Sequence, residues 1–226
     1  MSIRLDYLPH HKELKLYQDD EMFCINTDTM VLGDFLEIRK KDIVLDIGTN
    51  TGALLLYASL FKPRKMIGID INERALVLAR KNMEINHIEN VEIIHADGNT
   101  YRYTEEVDVI IFNPPYFKTP SKDKGKNPYL ALAKHEDNFS LEKMIECVNR
   151  NLRVNGTLYF LFQTSRLNEV LTVLNRKKLV AKKMKFVYDI NKNYSTVVLI
   201  QAVKGANDGL IVEKPMIINR NSYNNA

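Results

Sequence analysis

From residue 43 onward the chain alternates short, almost wholly apolar runs with longer stretches whose apolar positions recur at helical spacing. The runs 43–47, 66–69, 91–94 and 107–112 are short and rich in β-branched residues, which predicts strands covered on both faces. Between them, residues 72–85 place Ala75, Leu76, Leu78, Ala79 and Met83 on one side and charges on the other, the pattern of an amphipathic helix with Asn72 as its N-cap. A second helix is predicted to start at Ser140-Leu141-Glu142-Lys143, with Gly156 closing its connection to a strand at 157–162. Residues 184–190 and 196–203 flank Asn191-Lys192-Asn193 and predict an antiparallel hairpin. This alternation gives an α/β fold, a mostly parallel sheet with helices on both faces, and no internal repeat. Two segments stand outside it. Residues 1–40 form an amino-terminal arm with a first helix, and 117–139 is a polar loop rich in Lys, Pro and Ser, of a length that marks function or disorder.

Composition narrows this picture only slightly. A chain of 226 residues with 45% hydrophobic content supports one core, so residues 1–226 are read as a single domain. The 32 basic and 28 acidic residues leave a net charge of +4, which permits a nucleic-acid partner without demanding one. Cys24 and Cys147 make neither a disulfide framework nor a metal spacing, so a reduced cytoplasmic protein without a metal is expected. Arg4, Asp6, His10, His11 and Lys12 precede any long apolar run, and no stretch approaches a membrane span. No membrane partner is expected, and the chain is read as a monomer.

The first strand runs into Asp46-Ile47-Gly48-Thr49-Asn50-Thr51-Gly52, with an apolar helix beginning near Ala53. Gly48 and Gly52 allow a tight turn, and the helix start offers unpaired N–H groups to a polar ligand. Asp70 closes the second strand, where a carboxylate can accept both hydroxyls of a ribose. The early acid and spread glycines suit an amino-acid end better than a pyrophosphate. Asp97 follows the third strand in Asp97-Gly98, which places it toward the same crevice and equally fits a plain turn.

The fourth strand ends in Asn113-Pro114-Pro115-Tyr116. The prolines stop the strand and present Asn113 at its carboxyl end. An amino nitrogen conjugated to a ring or a carbonyl is a poor nucleophile, and forming a bond to it builds positive charge on nitrogen. Two acceptors aimed at its N–H bonds, the Asn113 side-chain oxygen and the Pro114 carbonyl, stabilise that charge. Tyr116 offers a stacking face to a planar substrate.

The glycine loop and its acids resemble the first motif of class I S-adenosylmethionine-dependent methyltransferases. That resemblance implies a Rossmann-like sheet of seven mostly parallel strands with one antiparallel. It also implies S-adenosyl-L-methionine as cofactor, with Asp46, Gly48, Asn50 and Gly52 by the methionine part, Asp70 by the ribose, Asp97 by the adenine amino group and Asn113 at the methyl. The stretch Phe23 to Asp28 with Leu32-Gly33, the tetrad followed by Phe117, and Ala133-Lys134-His135-Glu136 are similar to the bacterial tRNA1(Val) (adenine(37)-N6)-methyltransferases. This likeness implies a valine tRNA anticodon stem-loop as partner, its adenine beside the anticodon as target, and Thr27 and Asp28 as a lid near the cofactor. Lys118, Lys122, Lys124, Lys126, Lys134 and His135 are the expected RNA contacts, with Tyr116 and Phe117. Thr27 and Asp28 equally fit an N-cap pair, and the lysines equally fit a solvated face. Arg176, Lys177, Lys178, Lys182, Lys183 and Lys185 offer a second basic surface. An N5-glutamine methyltransferase or a non-catalytic RNA-binding protein are the alternatives.

Overall fold

The computed structural model describes residues 3–114 and 141–219. Ser140 and the loop 117–139 lie outside them. The chain opens with a hairpin, β1 (Ile3–Leu8) and β2 (His11–Asp19), followed by α1 (Thr27–Asp34). The core then runs β3 (Ile43–Ile47), α2 (Ala53–Ser59), β4 (Lys65–Asp70), α3 (Glu73–Ile85), β5 (Val91–His95) and β6 (Val107–Phe112). It continues with α4 (Leu141–Asn151), β7 (Leu152–Gln163), α5 (Leu167–Arg176), β8 (Leu179–Asp189) and β9 (Ser195–Lys204). Two short strands, β10 (Ile211–Val212) and β11 (Met216–Ile218), close the described chain.

Among the described residues nine strands form one sheet in the order β10-β8-β9-β7-β6-β3-β4-β5, with β11 also pairing β8. Of these described strands only β9 is antiparallel to both its neighbours. Seven strands carry the expected mostly parallel arrangement, and β10 and β11 extend its edge. The order reverses between β3 and β6, which opens a crevice at their carboxyl ends. All five residues of β3 are buried, as are Ile110, Ile111 and Phe160 on the neighbouring strands, so the centre of the sheet is the centre of the core. Each fully buried Leu or Ile there contributes about 1.5–3 kcal/mol.

Several boundaries differ from the sequence pattern for identifiable reasons. The arm is largely a β-hairpin. Asn72 sits at the N-cap of α3, yet its side chain makes no cap bond; the Asn72 N–H is taken instead by Asp70 Oδ1 at 2.9 Å. Strand β7 begins at Leu152 and passes through Gly156, because Val107 on β6 already pairs with Leu152. Strand β5, read as covered on both faces, is the sheet edge and only partly buried. The hairpin predicted at the end is present as β8 and β9, paired from Leu179 with Lys204 to Tyr188 with Ser195.

Candidate active site

Strand β3 delivers a loop in which Gly48, Asn50 and Gly52 have φ of +74°, +50° and +84°. Three left-handed residues in five turn the chain back on itself. The Ile69 carbonyl accepts from both Gly48 N–H (2.8 Å) and Thr49 N–H (2.9 Å), and Gly52 N–H closes onto the Thr49 carbonyl at 2.8 Å. A Cβ built on Gly48 meets nothing within 4 Å, so the backbone there faces open space. Asn50 adopts the left-handed conformation that asparagine tolerates. Its N–H donates to Asp70 Oδ2 at 2.8 Å and its side-chain amide donates to the Phe23 carbonyl. Asn50 thereby ties the segment after β2 to the loop, which a glycine could not do.

Asp46 is fully buried at the end of β3, and neither carboxylate oxygen has a hydrogen-bond partner among the described residues. The Thr49 hydroxyl beside it is orphaned too. Burial pushes the Asp46 carboxyl up to about 7, opposed by the nearby Thr49 hydroxyl, which is close enough to temper the charge without making a well-formed hydrogen bond, and the Asp70 charge adds to the rise. Asp70 accepts from two backbone N–H groups, of Asn50 and Asn72, one on each oxygen, and burial raises it as well. Each oxygen keeps a lone pair for a further donor. Next to it Ile71 is 60% exposed, an apolar side chain at a polar strand end. Asp97 is exposed and its Oδ1 accepts from Asn99 N–H at 2.8 Å and Nδ2 at 3.0 Å, so the residue does form a turn at the end of β5. Arg150 on α4 braces that turn by donating to the Asn99 carbonyl at 2.7 Å.

Ile47 pairs with Phe112, so Gly48 and Asn113 leave adjacent parallel strands abreast. Asn113 is half-buried and Pro114 buried. The Asn113 Nδ2 donates to Thr29 Oγ1 at 3.3 Å. Thr29 belongs to the first turn of α1, whose cap is Asn26, not Thr27 or Asp28: Asn26 Oδ1 accepts from Thr29 N–H at 3.0 Å and from its hydroxyl at 3.2 Å. Thr27 and Asp28 are buried in the first turn of α1.

The model of the methyltransferase small domain matches residues 13–189. The chain belongs to that family. A tRNA1(Val) (adenine(37)-N6)-methyltransferase of Flavobacteriaceae bacterium strain 3519-10 is 30% identical over 147 residues, 64% of this chain and 62% of that protein's length. The release factor glutamine methyltransferase of Flavobacterium psychrophilum is 36% identical over 127 residues, 52% of this chain and 44% of its own. In fold, a solved structure described as a predicted O-methyltransferase from Agrobacterium tumefaciens superposes with a TM-score of 0.63 at 17% identity, covering 84% of this chain and 87% of that one.

Family and fold imply S-adenosylmethionine as the cofactor of this small-domain methyltransferase. The residues present fit it. An orphaned buried carboxylate at Asp46 is costly unless a donor reaches it, and an α-ammonium supplies one. The spare lone pairs of Asp70 suit ribose hydroxyls, the open space at Gly48 admits a ligand, and Ile71 offers an apolar face to a purine. Ile71, Asn26 and Thr29 were not singled out by the sequence pattern. For Ile71 the signal was its apolar character directly after the strand-closing acid.

Two groups of expected contacts fare differently. Tyr116, Phe117, Lys118, Lys122, Lys124, Lys126, Lys134 and His135 lie outside the described residues. The second basic surface is largely neutralised at home. Arg176 pairs with Glu142 and Lys177 with Glu146. Lys183 reaches Glu37 and Glu213, Lys185 reaches Glu213, and Lys182 donates to the Asn207 and Asp208 carbonyls. Packing of α4 against α5 brings Glu142 and Glu146 to Arg176 and Lys177, and the pairing of β10 with β8 brings Glu213 to Lys183 and Lys185. Among the described residues no cluster of His, Cys, Asp or Glu could hold a metal ion, and no helix is long and apolar enough to cross a membrane.

Proposed function

We propose that this chain methylates the exocyclic N6 of an adenine in a tRNA anticodon loop, at the position beside the anticodon. The observation that carries the reading is Asn113-Pro114 standing abreast of the cofactor loop at the point where the strand order reverses. The relative from Flavobacteriaceae, named for this reaction, supports the choice of substrate.

When bound, the cofactor would supply an electrophilic methyl on a sulfonium, whose sulfur would leave as a neutral thioether. Asp46 would hold the amino-acid end, Asp70 the ribose, and Asp97 at the end of β5 would border the adenine. Thr27 and Asp28, in the first turn of α1, border the methionine side of the crevice. The Asn113 Oδ1 and the Pro114 carbonyl accept the two amino hydrogens of the substrate. Positive charge growing on nitrogen as the methyl bond forms strengthens both hydrogen bonds, so these acceptors favour the transition state over the ground state. One amino proton then leaves to solvent, and no strong base is required. Tyr116 and Phe117 stack the swung-out base, at the expense of a few kcal/mol for unstacking it.

RNA reaches this edge across a cavity of about 540 Å³ at the end of β7, bordered by Gln163, Thr164, Lys192 and Tyr194. Lys192 Nζ stands 5.7 Å from the Tyr194 ring centre, so a cation and an aromatic face are presented together. That pairing suits a phosphate and a base. Lys118, Lys122, Lys124, Lys126, Lys134 and His135 add phosphate contacts from the segment after the tetrad.

The test is transfer of labelled methyl from S-adenosylmethionine to total tRNA, with nucleoside analysis and mapping of the product. N6-methyladenosine beside the anticodon is expected. Asn113→Ala lowers turnover about a hundredfold, as loss of one transition-state acceptor does, with cofactor affinity nearly unchanged. A second reading, transfer to a protein glutamine, is favoured by the 36% identity to the release factor enzyme. Label appearing in release factor and absent from tRNA would establish it instead.

A further inference from the structure

We infer that Thr29 is a positioning residue that decides which end of the Asn113 carboxamide faces the substrate. The inference rests on the proposed amino-group methylation and adds a residue to it.

The oxygen and the NH2 of an asparagine are nearly equal in size, so packing alone does not distinguish the two orientations; hydrogen bonding must. For methyl transfer to an amino group only one orientation works. The oxygen has to meet the substrate N–H, because the flipped amide sets donor against donor.

The surroundings of Thr29 break the symmetry. Its hydroxyl oxygen lies 3.3 Å from Asn113 Nδ2. The hydroxyl proton is already committed to Asn26 Oδ1, 3.2 Å away, and that oxygen also holds the Thr29 N–H at 3.0 Å. Thr29 Oγ1 therefore offers a lone pair, not a proton, to Asn113. A flipped amide would bring Oδ1 against that lone pair with no hydrogen between them. Thr29 is 6% exposed, so water has little access to repair the mismatch. The N-cap of α1 thus does double duty: Asn26 starts the helix and, through the threonine hydroxyl, fixes the polarity of the catalytic amide one element away. The chain of bonds runs in one direction, from the Asn113 N–H through the Thr29 O–H to the Asn26 carbonyl oxygen, and it ends at a helix cap that the fold needs in any case.

The substitutions Thr29→Val, which keeps the shape and removes the hydroxyl, and Thr29→Ser, which keeps the hydroxyl, separate orientation from packing. In methyl transfer to tRNA, Thr29→Val is expected to lower kcat about tenfold, the kinetic equivalent of one weak hydrogen bond. The KM for tRNA and the Kd for cofactor stay within about twofold, since most of the binding of either comes from contacts away from the amide and the Asn113 hydrogen bond strengthens chiefly in the transition state. Thr29→Ser retains activity near that of the unmodified protein. In an Asn113→Ala background, Thr29→Val has no further effect, because no amide is left to orient. Unchanged kcat in Thr29→Val, equal losses in the Ser and Val variants, or a full tenfold loss on top of Asn113→Ala each overturns the inference. A readout independent of the substrate is the side-chain NH2 resonance pair of Asn113, assigned by its disappearance in Asn113→Ala. The pair shifts in Thr29→Val and stays in place in Thr29→Ser; resonances unmoved by Thr29→Val overturn the inference even where no methyl acceptor is found. Absence of transfer to tRNA, with the resonances shifted as expected, counts against the substrate reading alone.

Discussion

Asp46 is a carboxyl taken wholly out of water with neither oxygen hydrogen-bonded among the described residues. Its acid and the glycines after it were visible in the sequence, and so was the strand that buries them. The consequence for stability needed the structure. Unfolded, Asp46 titrates near about 3.9, the ordinary aspartate value; folded, burial lifts it to about 7. The folded state therefore holds a proton that the unfolded chain has lost between about pH 4 and 7, and stability falls as pH rises through that window. Below it both states are protonated, and above it the penalty is constant. Asp46→Asn removes this term, so the melting temperature of the cofactor-free variant should gain on that of the unmodified protein from pH 5 to pH 8. A gap that ignores pH contradicts the assignment. Thr29 was not legible, because its meaning lies in a contact with Asn113 across 84 positions.

At the level of elements, α3 shows how an apolar stripe can conceal a polar function. Ala75, Leu76, Leu78, Ala79 and Met83 are buried as their spacing implies, and Asn82 is buried with them. Its Oδ1 accepts from Tyr17 N–H at 2.6 Å, and its Nδ2 donates to the Tyr17 carbonyl at 3.1 Å and to the Thr51 carbonyl at 2.9 Å. One turn on, Asn86 makes the same pair of bonds with Lys15, at 2.8 and 2.7 Å. Four residues of helix rise about 6 Å and two residues of strand about 6.6 Å, so the two carboxamides substitute for a neighbouring strand along the free edge of β2. The hairpin is thereby fastened to both α3 and the cofactor loop. Asn82→Ala leaves three backbone groups without their partner and should destabilise the protein by about 2–4 kcal/mol, measured by denaturant unfolding. Amide exchange should rise first at Tyr17 and its neighbours; uniform exchange across the sheet would deny the fastening role. The hairpin was missed in the sequence because the alternating apolar residues of β1, Ile3, Leu5 and Tyr7, face outward and are exposed, so no buried face marked them as a strand.

Over the whole molecule, the carboxyl edge of the sheet gathers Asp46, Asp70, Asp97, Asn113 and the tip of the β8–β9 hairpin. That tip is hydrogen-bonded at its base: Asp189 Oδ1 accepts from Asn191 N–H and Nδ2, and Ile190 N–H bonds to the Ile218 carbonyl of β11. Its exposed residues include Lys192 and Tyr194. On the proposed substrate, Tyr194→Ala should weaken tRNA binding about tenfold, the lower range for one stacked base. Lys192→Ala should reduce the slope of log affinity against log salt by about one. Affinities and slopes unchanged in both variants would remove the hairpin tip from the RNA path. The sequence by itself determined the α/β class, the positions of the central strands, the cofactor loop and the tetrad, because each is written in neighbouring residues whose spacing follows the period of its own element. Only the tertiary structure decided that Arg176, Lys177, Lys183 and Lys185 meet acids from other segments, that Thr29 of α1 meets Asn113, and that α3 finishes the edge of β2. Those outcomes depend on which segments the strand order and register bring side by side, and pairings between distant segments leave no period along the chain.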